Sequence, residues 1–266
     1  EQELLVRLGI LVPDRAAEQE QLRSIYDVAN QRSRQFTALV TLNLDCNLAC
    51  NYCFEDHFRG TYYMSQQTAD QLVTLLRRKL DAGMNITLDF YGGEALLSLP
   101  LMRDIATRIR EYAVKAGCRA SFNLVSNATL LTAPVARELQ ELGFKTVRFT
   151  LDGPPEVHNQ QRPFVSGKES FELILAHLDQ VCDLLSVPLG GNYTRDNYQL
   201  FPQLLDILLQ RGITPQRLGS VQFSPITPKA GQAGMGDFAT GCASPNEPWL
   251  IEASLFLRQA ILSRGF

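Results

Sequence analysis

Long apolar runs are missing from this 266-residue chain. None approaches the roughly 18–20 residues of a membrane span, and no charged-then-apolar leader opens it. Basic excess is missing too: 25 Lys and Arg against 28 Asp and Glu give a net charge of −3. That balance offers no footprint for nucleic acid and no patch for an anionic membrane. Histidine is scarce, with His57, His158 and His177 scattered along the chain. No Ser/His/Asp set and no paired carboxylates stand out, so ordinary acid–base or nucleophilic hydrolysis has no obvious machinery. Cysteine is sparse as well, six in all, and nothing suggests an oxidising compartment. Metal binding in a reducing cytoplasm is the expectation.

Three of the six cysteines stand together. Cys46, Cys50 and Cys53 follow the apolar run Leu39-Val40-Thr41-Leu42-Asn43-Leu44 at C-x3-C-x2-C spacing. At about 3.3–3.6 Å per extended residue, thiols this close can converge on one object. A disulfide cannot use three. A zinc site wants four ligands, usually in C-x2-C pairs, and His57 could supply the fourth. A [4Fe–4S] cluster normally takes four thiolates, so three leave one iron open to a small molecule. The third reading is favoured.

From Leu39 the chain alternates. Strand-like runs at 39–45, 86–91, 120–125, 144–151, 187–193 and 219–224 are each followed by helix-like stretches, at 66–82, 100–116, 133–142, 168–185, 197–211 and 247–264. Ser65 suits an N-cap, and Gly83, Gly117, Gly143 and Gly212 fall where helices end. Six β-α units predict an α/β fold, a partial, open (β/α)6 TIM-like barrel. Residues 1–35 form the expected end of a preceding module, where Leu22, Ile25, Tyr26 and Ala29 recur at helical spacing. Residues 36–230 form the barrel, and 231–266 a loop and helix leading towards an absent C-terminal domain. A chain that starts at Glu1 and stops at Phe266 is expected to be a fragment of a longer protein.

In such barrels the chemistry sits on loops after the strands. The cysteine loop follows the first strand, Gly92-Gly93-Glu94 the second and Ser126-Asn127 the third, while Thr150 to Asp152 close the fourth and Asn192 the fifth. Two glycines allow a ligand to approach the backbone closely, and Glu94 or the carbonyls beside it can accept hydrogen bonds from an ammonium group. Tyr52 and Phe54 could wall a cluster from water or simply pack. Asp152 starts an Asp-Gly-Pro turn and is equally a structural residue. Arg162 lies in an otherwise polar loop, either solvated or paired with a carboxylate. Cys118 and Cys182 read as packed thiols. Cys242, in the Gly/Pro-rich stretch 228–248, is either packed or a ligand for something outside this segment.

Taken together, the segments CNLACNYCF, YGGEALL, SNATLL, FTLDGPPEVHNQQRP and VQFSPI resemble the radical S-adenosylmethionine (radical SAM) superfamily over residues 38–228. They are similar to its peptide- and protein-modifying branch, which includes thioether-forming maturases of ribosomal peptides and anaerobic sulfatase maturases, usually with a SPASM domain carrying auxiliary clusters. The resemblance implies a [4Fe–4S] cluster on Cys46, Cys50 and Cys53 and S-adenosylmethionine (SAM) on the open iron. It places Tyr52 at the adenine through its backbone, Gly92, Gly93 and Glu94 at the methionine end, Asn127 near the ribose and Arg162 near the carboxylate. Thr150 would contact SAM and Thr227 the adenine. It also implies reductive cleavage of SAM to a 5′-deoxyadenosyl radical that abstracts hydrogen from a precursor peptide, with ferredoxin or flavodoxin as electron donor. Departures from the pattern are Tyr91 for the Gln of sulfatase maturases, Ala95 for Pro and Ala128 for Gly. They weaken the formylglycine-forming alternative. The opening LVRLGILV resembles the end of a peptide-recognition domain.

Overall fold

A computed structural model describes residues 2–12, 14–60, 62–226 and 247–266. Six parallel strands lie in the order β1-β2-β3-β4-β5-β6: β1 (Gln35–Asn43), β2 (Asn85–Gly92), β3 (Ala120–Val125), β4 (Phe144–Thr150), β5 (Pro188–Tyr193) and β6 (Ser220–Pro225). Nine α-helices occur among the described residues: α1 (Gln2–Arg7), α2 (Arg15–Arg32), α3 (Gln66–Asp81), α4 (Leu99–Lys115), α5 (Ala133–Leu142), α6 (Pro155–Gln161), α7 (Phe171–Val181), α8 (Phe201–Gln210) and α9 (Pro248–Ser263). This is the expected partial (β/α)6 barrel, open between β1 and β6.

Alternation builds the core. On β2, Ile86, Leu88 and Phe90 are buried while their neighbours are half-buried, the period of two that sends one set towards the helices. Phe90, Phe122 and Phe144 from three strands gather with ring centroids 5.4–6.1 Å apart. Against them α3 buries Ala69, Val73, Leu76 and Leu80, one face at helical spacing. The Ser65 hydroxyl accepts the Thr68 amide at 3.1 Å and starts that helix. Gly143 ends α5 with a left-handed φ of 99°.

Two elements differ from the sequence expectation. Strand β1 begins at Gln35, four residues early, because the ladder to β2 runs from Gln35↔Asn85 onward although the side chains there are largely exposed. The polar loop expected around Arg162 contains α6, whose last residue, Gln161, precedes Arg162. Helix α9 packs as the sixth barrel helix: Ala253, Leu257 and Ala260 are buried, and Arg264 pairs with Asp206 on α8 at 2.6 Å. By contrast, Leu22, Ile25 and Tyr26 of α2 are exposed. No helix among the described residues is long and apolar enough to cross a membrane.

Candidate functional site

The cysteine loop leaves β1 at Asn43 and is tied down at both ends. At its start, the Gly93 amide donates to the Asn43 carbonyl (3.1 Å) and the Glu94 amide to the Asp45 carbonyl (2.7 Å). The Asn43 side-chain amide answers by donating to the Glu94 carbonyl and the Ser98 hydroxyl. Further along, Ala49 and Asn51 donate to the Pro163 and Gln161 carbonyls, linking the loop to the end of α6 and the residues just after it. Gly93 has to be glycine here: a Cβ would stand 2.4 Å from the Asp45 carbonyl oxygen, inside any real contact.

These ties open a cavity lined by Cys46, Cys50, Cys53, Tyr52, Tyr91, Gly92, Gly93, Asn127, Thr150 and Arg162, among others. All three thiols are free and half-buried. Burial pushes the Cys46 thiol up to about 11, against the pull of the Leu48 amide and the Asn127 side chain. Burial likewise raises Cys50, and the nearby Arg162 charge opposes it. Thr227 and Cys242 lie outside the described residues.

Glu94 does not line this cavity. Its carboxylate is fully buried and accepts from the Leu96 amide (2.9 Å), the Ser126 hydroxyl (2.9 Å) and the Asn127 amide (2.7 Å). Burial raises its pKa and those donors lower it, so it serves as a clamp between the β2 and β3 loops. The Glu94 side chain, expected from the sequence as one possible ligand acceptor, is thus fully engaged within the protein. Asn127, held by this clamp, turns its amide towards Cys46 Sγ (3.5 Å) and Asn47 Oδ1 (2.8 Å). Beside it, Ala128 takes a left-handed φ of 65°, the conformation for which glycine is the natural choice.

On the opposite wall, Tyr52 extends its side chain into a buried network. Its hydroxyl donates to Asp152 Oδ2 (2.5 Å) and accepts from Arg162 Nη1 (2.7 Å) and Asn192 Nδ2 (3.0 Å). Asp152, fully buried, also accepts from the Asn192 amide at 2.7 Å and stands 4.0 Å from Arg162 Nη1. Burial works against the Arg162 charge, but the surrounding Cys50, Tyr52 and Asp152 groups outweigh it and raise its pKa. Arg162 Nε remains buried without a hydrogen-bond partner.

His158 supports this wall from behind, a role the sequence did not reveal because α6 carries no apolar period. Its Nδ1 accepts the Asp152 amide (3.0 Å), which leaves Nε2–H to donate to Ser170 Oγ (3.0 Å); the Ser170 hydroxyl passes the bond on to the Arg162 carbonyl (2.6 Å). Burial, followed by the Arg162 charge, drives the His158 pKa well below its usual 6.5 and keeps the ring neutral.

Among the described residues no three His, Cys, Asp or Glu side chains converge as a single bound ion would require. A cluster asks for something else, since each thiolate binds its own iron, and soft thiolates suit iron–sulfur chemistry. Three free thiols on one cavity, a wall of glycine backbone, and a buried guanidinium with an unpartnered Nε together fit a cluster with a carboxylate-bearing ligand.

Comparison with known proteins agrees with this geometry. The family model described as the Radical SAM superfamily matches residues 41–196. A GTP 3',8-cyclase of a Synechococcus species is 28% identical over 200 residues, covering 74% of this chain and 53% of the relative. A cysteine-type anaerobic sulfatase-maturating enzyme of Clostridium novyi is 27% identical over 139 residues, covering 50% of this chain and 37% of the relative. In fold, Streptococcus suis SuiB bound to precursor peptide SuiA superposes with a TM-score of 0.59 at 13% identity, covering 98% of this chain and 58% of SuiB. The chain spans about half the length, or less, of these two curated relatives.

Proposed function

Because the chain belongs to the radical SAM superfamily, whose members use a [4Fe–4S] cluster and SAM, we propose that it is the catalytic core of a peptide-modifying maturase. Cys46, Cys50 and Cys53 hold the cluster in this reading, and SAM occupies the remaining iron. When bound, cluster and SAM supply one-electron cleavage of the sulfonium and hydrogen abstraction by the resulting 5′-deoxyadenosyl radical. The observation that carries the reading is the single cavity on which the three free thiols meet Gly92–Gly93, Asn127, Thr150 and Arg162.

The protein's own work is placement. Backbone carbonyls at Gly92 and Gly93 face a ligand's ammonium group. Arg162, held by Tyr52 and Asp152, offers its guanidinium to a carboxylate. Asn127 steadies Cys46 through a donor at its sulfur. Tyr91 and Phe54 limit water at the cavity edge. Thr227 is assigned to the adenine by the sequence resemblance alone. An electron donor such as ferredoxin or flavodoxin, a cytoplasmic setting, a peptide-recognition module before residue 36 and auxiliary clusters after Phe266 belong to the same proposal.

The bond installed is a thioether or related crosslink. The likeness of fold to SuiB supports a peptide over the barrel mouth. A second reading, oxidation of Cys or Ser to formylglycine, draws on the identity to the Clostridium novyi enzyme, and Tyr91 weighs against it. The deciding experiment is anaerobic reconstitution followed by mass spectrometry of peptides encoded beside the gene. Loss of two hydrogens with the sulfur retained in a crosslink supports the first reading. Conversion of Cys to formylglycine supports the second, and an unmodified peptide despite SAM cleavage overturns both.

A further inference from the structure

Beyond the cofactor cavity, the inner face of the barrel holds a second recess of about 80 Å³. Its polar lining is Arg148, Thr150, Asn192, Ser220, Gln222 and Ser224, with backbone and apolar atoms of the β5 segment 188–191 beside them. The strand registers explain how these side chains meet: Thr150 faces Gly190, which faces Gln222, and Asn192 faces Ser224 one layer up. Gly190 contributes no side chain at the centre of that row, which leaves the space open. Thr150 lines both this recess and the cysteine cavity, so a group bound in one lies beside the other.

Arg148 sets the chemistry of the recess. Interiors of (β/α) barrels are normally filled by branched apolar side chains, yet β4 sets at this recess the solvent-exposed Arg148, whose guanidinium has neither an ion pair nor a hydrogen bond among the described residues. The carboxylate facing inward from β2, Asp89, is engaged by the Asn123 side chain at 2.7 Å. One positive charge ringed by neutral hydroxyl and amide groups, in a space of a few water volumes, matches a single carboxylate. A phosphate would call for more cationic partners or a helix N-terminus.

Resting on the peptide reading above, we propose that Arg148 is a specificity residue that takes the side-chain carboxylate of an Asp or Glu adjacent to the residue being modified. A free small acid shares this chemistry, and the test separates the two sources.

The probes are acetyl-Ala-Cys-Glu-Ala-amide, its Gln counterpart and succinate. Each is titrated by ligand-observed NMR into the reconstituted protein with SAM, in wild type, Arg148→Gln and Arg148→Lys, with thermal midpoints checking the fold. The Glu peptide is expected to bind about tenfold or more tighter than the Gln peptide, as for a charge-assisted bond. Arg148→Gln should bring the ratio to near one and Arg148→Lys should keep part of it. A ratio near one in wild type, or one that survives Arg148→Gln, overturns the inference while the peptide reading stands on its own mass-spectrometric test. Arg148-dependent binding of succinate with no binding of either peptide keeps the carboxylate site and overturns the peptide source.

Discussion

Replacing Asp152 with Asn keeps its shape and removes the charge facing Arg162. The structure makes this expensive for two separate reasons. Arg162 Nη1 lies 4.0 Å from Asp152 Oδ2, with the two side chains 9% and 0% exposed, so the guanidinium would be left buried without a counter-charge. Both carboxylate oxygens are also acceptors: Oδ1 takes the Asn192 backbone and side-chain amides, Oδ2 the Tyr52 hydroxyl and the Gln161 amide. An amide group cannot accept on both sides, so one end would meet donors with a donor. Breaking a buried pair from one side costs about 3–5 kcal/mol. At about 2–4 °C per kcal/mol for a chain of this size, the melting midpoint should fall by roughly 6–20 °C. Urea unfolding of the cluster-free protein, kept anaerobic, measures this, with Glu138→Gln as the control. That control breaks an exposed pair with Arg103 and should cost under about 1 kcal/mol. Adding Arg162→Met to Asp152→Asn should restore part of the loss, because the stranded charge is gone. An Asp152→Asn protein within about 1 kcal/mol of wild type would refute the buried-pair reasoning.

Ala128→Gly should stabilise the protein by about 0.5–1 kcal/mol, since relief of left-handed strain exceeds the added chain entropy; a lower urea midpoint would contradict this. Gly93→Ala forces a Cβ against the Asp45 carbonyl and should cost about 1–3 kcal/mol while lowering iron content after reconstitution; full iron loading would count against the close approach. His158 gives a pH signature: its folded pKa lies well below 6.5, so below about pH 6.5 the unfolded chain takes up a proton that the folded one refuses. Stability should therefore fall with decreasing pH by up to about 1.4 kcal/mol per unit from this group, and His158→Gln should flatten that slope.

Local chemistry was legible where it lives in short spacings. Cys46, Cys50 and Cys53 announce themselves, and the strands stand out because short stretches with apolar residues at alternate positions recur between helix-like segments. What stayed hidden depends on partners distant in sequence. Helix α6 buries His158 and Gln161, two polar residues satisfied by hydrogen bonds, so hydrophobic periodicity has nothing to detect. The early start of β1 rests on its ladder to β2 and not on burial. Glu94 offered itself as a ligand contact by its neighbours, and only the fold reveals that Ser126 and Asn127 claim its carboxylate. Asp152, balanced in the sequence between a turn and a site residue, is both: it follows β4 and anchors Arg162.

The central claim is that these three thiols cage a cluster and leave one iron for SAM. EPR of the reduced, reconstituted protein, with and without SAM, tests it most directly when paired with iron content and 5′-deoxyadenosine release in Cys46→Ala, Cys50→Ala and Cys53→Ala. A cluster signal that shifts on adding SAM, and is lost with product release in each variant, is the predicted result; an unshifted signal, or variants that keep their iron and still release 5′-deoxyadenosine, would contradict it.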